Sequence, residues 1–134
     1  MTISGFDELL HAAREQKEPQ RLLFVFAAAE LPEDATLAQR TAFAAGEGGT
    51  LTPMMCVDKS PAELASFAEL AAEASGFAQA WDIVFVAALS GSAGRVPTSA
   101  DAEEPLQRMV DAIRTGRLNG FIPFDRRGET VRFG

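Results

Sequence analysis

Residues 21–30 read RLLFVFAAAE. This is a continuous apolar run, rich in Phe and Val and bounded by Pro19 and Pro32, as expected of a strand covered on both faces. A second run of the same kind, DIVFVAALSG at 82–91, follows some fifty residues later. Two central strands of one sheet are therefore the starting point, and the segments around them must supply the covering layers.

Upstream, Ser4 and Asp7 offer a capping signal, and Phe6, Leu9, Leu10 and Ala13 recur at helical spacing until Pro19 stops the pattern. Between the two runs, a weaker helix is expected from Thr36, with Gln39 as its capping partner, to the GEGG at 46–49. The segment LTPMMCV at 51–57 reads as a strand that Pro53 pushes toward an edge or a bulge, because proline has no ladder donor. In SPAE at 60–63, Ser60 can cap, Pro61 suits the first helical position and Glu63 can reach back to the cap. A helix is expected from there, with Leu64, Phe67, Ala68 and Ala71 buried, Glu63, Ser66 and Glu73 wet, and Gly76 as its stop. After the second central strand, Leu106, Met109, Val110 and Ile113 give an amphipathic helix whose start is placed at Pro105, since proline fits only the first turn. The end, FIPFDRRGETVRF at 121–133, reads as a hairpin turning at Asp125–Gly128.

Helices alternating with strands predict an α/β fold, with α+β as the variant. The expected form is a single domain over residues 1–134, a mixed sheet of about five strands with about four helices, and a C-terminal β-hairpin. The chain's 134 residues suffice for one core, and 47% of them are apolar. No repeat or composition break marks a linker. The apolar runs are far shorter than the roughly 18–20 residues that span a bilayer, and the N-terminal stretch has no signal-peptide pattern, so a cytoplasmic location and no membrane partner are expected. The formal charge of −7 argues against nucleic acid as a partner. That charge is uneven: from Arg108 onward six Arg face only Asp111, Asp125 and Glu129. This makes Arg126 and Arg127 candidates for docking a protein partner, with a solvated surface as the plainer reading.

Familiar chemistry is sparse. The one histidine, His11, lies about 140° around the helical wheel from Phe6, on the wet face. Cys56 sits among Met54, Met55 and Val57, a setting that suits a packed, inert thiol. With one His and one Cys, neither the usual zinc site nor a Ser-His-acid triad is expected, and no cofactor is implied. The carboxylates Glu63, Glu69, Glu73, Glu103 and Glu104 have ordinary roles as caps or solvated faces. No residue is assigned as catalytic.

One loop invites a ligand. SGSAGRVPTSADAEEP at 90–105 follows a strand, and ligands of open α/β sheets bind beyond the carboxyl ends of strands. Its Gly91 and Gly94 match neither phosphate-binding glycine pattern, and a helix starting only at Pro105 would not aim its dipole at them. If the strands at 51–57 and 83–89 run parallel, however, Asp58, Lys59 and Ser60 share a rim with Ser90, Gly91, Gly94, Arg95, Thr98 and Ser99. Arg95 would then clamp a carboxylate or phosphate, with hydroxyls and glycine amides as further donors. The plain alternative is a connector of turn residues, with Ser60 only a cap.

The stretches RLLFVFAAAELP, LTPMMCVDKSPAELASF, VAALSGSAGRVPTSAD and PLQRMVDAIRTGRLNGF resemble a family of small proteobacterial proteins sometimes labelled ribonucleotide reductase alpha subunit. The resemblance spans nearly the whole chain and brings no functional residues. A large subunit of that enzyme is a far longer barrel protein that uses one cysteine as a radical and two as reductants. A chain with Cys56 alone is not expected to perform that reaction. The expected function is a non-catalytic binding or protein-interaction module. The alternative is a small-molecule or anion-binding protein, an enzyme among its forms, that uses the loop after the strand at 83–89.

Overall fold

The computed structural model describes residues 5–30, 34–44, 50–64, 66–76, 81–118 and 120–131. In chain order these form α1 (Phe6–Arg14), β1 (Gln20–Glu30), α2 (Leu37–Ala44), β2 (Thr50–Lys59), a 3₁₀ turn (Pro61–Glu63), α3 (Phe67–Ser75), β3 (Ile83–Ser90), α4 (Ser99–Arg114) and β4 (Ile122–Phe124). The strands make one sheet in the order β2-β1-β3-β4, and every neighbouring pair is antiparallel.

The continuous apolar run of β1 follows from its central place between two layers. Leu22, Phe24 and Phe26 point to one face, where Phe6, Leu9 and Leu10 of α1 and Phe67 and Leu70 of α3 cover them together with Leu64, Trp81, Val84, Val86 and Phe124. Leu23, Val25 and Ala27 point to the other, against Phe85 and the α4 stripe Ala102, Leu106, Met109 and Ile113. Every side chain from Leu22 to Ala27 is almost wholly buried, and each large one contributes about 1.5–3 kcal/mol of burial free energy. On the first face the contacts are aromatic: Phe6 meets Phe124 edge-on at 5.5 Å between ring centres, and Phe26 meets Trp81 at 5.0 Å.

The class read from the sequence stands, an α+β arrangement with four helices among the described residues, while the sheet differs in two respects. It is antiparallel rather than mixed, because the helix between β1 and β2 is no crossover: α2 is exposed along most of its length and the chain returns beside the strand it left. Among the described residues it also has four strands rather than five. After the turn at Asp125–Gly128 a single bridge joins Phe124 to Thr130, and Val131 N–H donates to the Pro123 carbonyl at 3.0 Å. Phe133 lies outside the described residues, as do Ser4 and the GEGG at 46–49.

Pro53 acts as expected on both counts: β2 is an edge strand, and its pairing with β1 slips between Phe26 and Ala27, opposite Met55 and Pro53. Thr36 and Gln39 close a reciprocal cap on α2, at 2.8 and 3.1 Å.

Two helix starts move. Ser60 and Glu63 do form their capping box, but around only a three-residue 3₁₀ turn. Leu64 then turns extended and Ser66 caps α3 afresh, accepting from Glu69 N–H at 3.3 Å. That restart rotates the buried stripe to Phe67, Leu70 and Ala74 and leaves Ala68 exposed. Helix α4 begins at Ser99, not Pro105, because Thr98 and Asp101 cap each other at 3.2 and 2.9 Å. The box nucleates a helix that carries Pro105 inside it and forgoes the bond to the Asp101 carbonyl. Cys56 is also corrected. The slip and the pleat of an edge strand leave its thiol exposed instead of packed.

Candidate functional site

Because β2 and β3 are each antiparallel to β1, they point the same way, and their ends flank the entry of β1: Gln20 pairs with Ser90, Leu22 with Lys59 and Leu23 with Asp58. The candidate residues at 58–60 and 90–99 therefore do share one rim. The pleat then divides them. Arg21 and Asp58 fall on the face covered by α4, Gln20 and Lys59 on the face covered by α1 and α3.

On the α4 face the rim is closed by its own charges. Arg21 holds Asp58 through Nε at 2.5 Å, donates to Ser99 Oγ at 2.8 Å and to the Pro97 carbonyl at 3.4 Å, and stands 3.8 Å from a Glu63 oxygen. Ser99 also donates to Asp58 at 2.7 Å. Partial burial raises the Asp58 carboxyl's pKa. The hydrogen bonds from Ser99 and Arg21 and the Arg21 charge more than offset this, so the group ends below the usual carboxylate value. Glu63 is likewise lowered, chiefly by the Ser60 backbone N–H that it accepts.

Arg95 takes no part in this cluster. It is exposed, and its charge acts on Asp101 in the first turn of α4. Arg95 and Asp58 therefore do not face each other across a pocket, since Arg21 occupies Asp58 from the neighbouring strand. The rest of the loop is a tight turn. Ser92 and Arg95 bridge across Ala93 and Gly94, both at positive φ (53° and 75°), the sign pattern of a type I′ turn. Gly91 donates to the Pro19 carbonyl at 2.8 Å, and a Cβ there would come within 1.9 Å of the Arg95 carbonyl oxygen. Both glycines serve backbone geometry. Thr98 is the helix cap, and Lys59, on the other face, pairs with Glu73 at 2.8 Å.

The two docking arginines are also engaged. Arg126 donates to the Trp81 carbonyl and lies 5.9 Å over its ring, while Arg127 reaches Asp125 and Glu129 at 3.9 and 3.7 Å. His11 is on the surface beside Glu15 at 3.2 Å.

The α1 face of the rim is open. Gln20 is only 7% exposed, the one polar residue in the buried set among the described residues. Its amide nitrogen donates to the Glu18 carbonyl at 3.0 Å and to Ser90 Oγ at 2.9 Å, and the carbonyl partner fixes which end of the amide is nitrogen. Among the described residues no donor reaches its oxygen, Oε1. No fully buried side-chain oxygen or nitrogen there lacks a partner, so Oε1 opens onto free space.

Gln20, with Ala13 and Gln16, lines both of two adjoining cavities. One, of about 300 Å³, is walled mainly by Leu9, Ala12, Leu22, Val86 and Ile122. The other, of about 390 Å³, is lined by Arg14, Glu18, Ser60, Pro61 and Val96. Ser60 is thus the one candidate rim residue whose place touches this opening, and Ser90 reaches it through Gln20.

Arg21 and Gln20 are the residues that the sequence reading passed over. The available signal was two long polar side chains at the mouth of a doubly covered strand, where alternation must send them to opposite layers. Comparison with protein families, curated proteins and solved structures finds no match for this chain. Among the described residues no group of three or more His, Cys, Asp or Glu is placed to hold a metal, and no helix is long and apolar enough to cross a membrane.

Proposed function

We propose that this chain is a non-catalytic binding module whose site is the pair of cavities meeting at Gln20. The observation that carries the reading is an almost buried amide, held by two hydrogen bonds at its nitrogen, at the junction of a mainly apolar cavity and a more polar one. Because the amide oxygen opens onto free space rather than onto protein, a ligand donor can bond it in place of water. Small-molecule sites commonly combine apolar walls with a few fixed polar groups, and these volumes fall at the lower end of their range.

The non-catalytic part is supported by two of the reactive groups: Asp58 is held by Arg21, and His11 faces solvent beside Glu15. The acidic charge suits a module that does not take nucleic acid, and a cytoplasmic location is part of the same proposal. A protein partner gripping Arg126 would have to compete with Trp81.

The test is titration of the isotopically labelled chain with small apolar amides and alcohols, followed by NMR. Shifts should appear at the side-chain amides of Gln16 and Gln20 and be absent at Arg21, and Arg95→Ala should bind as the unaltered chain does. Shifts centred on Arg95, Asp58 or the β2 edge would overturn the assignment.

A further inference from the structure

The class of ligand can be taken further, resting on the site just proposed. Arg14, at the end of α1, puts one guanidinium nitrogen on the carbonyls of Leu64 and Pro61, at 2.5 and 3.3 Å. This fixes the group at the cavity wall and leaves its other N–H donors available. Glu18, in the following turn, accepts from Gly94 N–H at 3.2 Å through Oε2. Among the described residues no carboxylate pairs with Arg14 and no cation pairs with Glu18. A base and an acid, neither neutralised, thus line the same cavity of about 390 Å³, which adjoins the apolar one at Gln20.

We propose that the paired cavities take a free apolar α-amino acid. Its side chain enters the space between Leu9, Leu22, Val86 and Ile122, its carboxylate meets Arg14, and its ammonium lies toward Glu18 and Gln20 Oε1. A simple anion would satisfy Arg14 but face the Glu18 carboxylate, and a simple cation would have the converse fault. A zwitterion with an apolar side chain answers all three features at once, since charge-assisted bonds form at both ends of its head while its tail leaves water. The Gln20 oxygen adds an acceptor that favours an N–H donor at the junction.

Binding to the full chain would be measured by calorimetry and by the Gln20 side-chain amide resonance, using L-leucine, L-phenylalanine, glycine, leucinamide, N-acetyl-leucine and 3-methylbutanamide. Leucine or phenylalanine should bind and shift Gln20, and glycine should not. Leucinamide and N-acetyl-leucine, each lacking one charge, should bind about tenfold or more weaker, the equivalent of one charge-assisted bond. Arg14→Gln should erase the gap between leucine and leucinamide, and Glu18→Gln that between leucine and N-acetyl-leucine. The ligand series on the unaltered chain decides the matter even where a variant folds poorly. Equal binding of leucine and N-acetyl-leucine would overturn the zwitterion. If 3-methylbutanamide shifts Gln20 while both amino acids leave it still, the ligand class falls and the site stands. If none of the probes moves Gln20, both fall.

Discussion

Gln20 and Arg21 are consecutive residues at the entry of β1, and the pleat sends them to opposite faces of one sheet. On the α4 side, Arg21 meets a carboxylate, a hydroxyl and a carbonyl from three different segments, and the rim is closed. On the α1 side, Gln20 is satisfied at its nitrogen only and the rim stays open. Polarity and position along the strand do not separate the two. What does is whether the neighbouring layer supplies complementary partners: α4 brings Ser99 to Arg21, whereas the end of α1 and the turn after it bring Ala12, Ala13 and Gln16 beside Gln20. A saturated polar cluster stabilises the fold, and an unsaturated one next to a cavity is disposed to bind.

The largest expected effect comes from opening the closed side. The Arg21 and Asp58 side chains are 12% and 19% exposed, so Arg21→Met strands a partly buried carboxylate and should cost about 3 kcal/mol in urea unfolding. Replacing both partners, Arg21→Met with Asp58→Leu, should recover most of that loss, because no charge is then left alone. Leucine binding at Gln20 should persist in the double variant. A single variant as stable as the parent would show that the cluster ties nothing together.

Acid should act on the same side with a smaller effect. Asp58 has a folded-state pKa below its unfolded value, which is about 3.9. Its contribution is therefore fully present above that unfolded value and is lost as pH falls through the lower folded one. Below about pH 4 the chain should lose stability more steeply than an Asp58→Asn variant, measured by thermal unfolding across pH. Parallel curves would mean that Asp58 gains nothing from Arg21 and Ser99. Glu63 and Asp101 shift in the same direction and are present in both chains, so the comparison isolates Asp58.

The sequence carried the layers further than it carried the site. Residues 21–30 announced a strand covered twice, and the glycines, caps and Pro53 were legible because each acts within a few residues of itself. The edge position of β2 followed from a missing donor. Pro105 misled because a local rule about proline lost to a stronger local device, the Thr98–Asp101 box about one helical turn upstream. Arg95 looked like the clamp because it stood in the loop, yet the arginine that meets Asp58 is 37 residues away in sequence. Such a pairing depends on strand order, which no periodicity encodes. The Gln20 site was hidden for the same reason, since its cavity needs α1, the 3₁₀ turn and β3 in their final places.

The smallest effect on stability, and the most telling for function, should come from Gln20→Leu. The substitution removes two hydrogen bonds, but the groups left behind are not stranded: Ser90 is exposed and the Glu18 carbonyl lies in an open turn, so both can turn to water. The cost should stay within about 1 kcal/mol, as for hydrogen bonds whose partners are resolvated. Binding, by contrast, should disappear, because leucine loses its acceptor at the junction and the added methyl groups intrude on the space where the two cavities meet. Arg21→Met is expected to show the reverse pattern, unstable yet still able to bind. If Gln20→Leu instead unfolds the chain as readily as Arg21→Met, the amide is a structural tie like its neighbour, and the contrast between the two faces disappears.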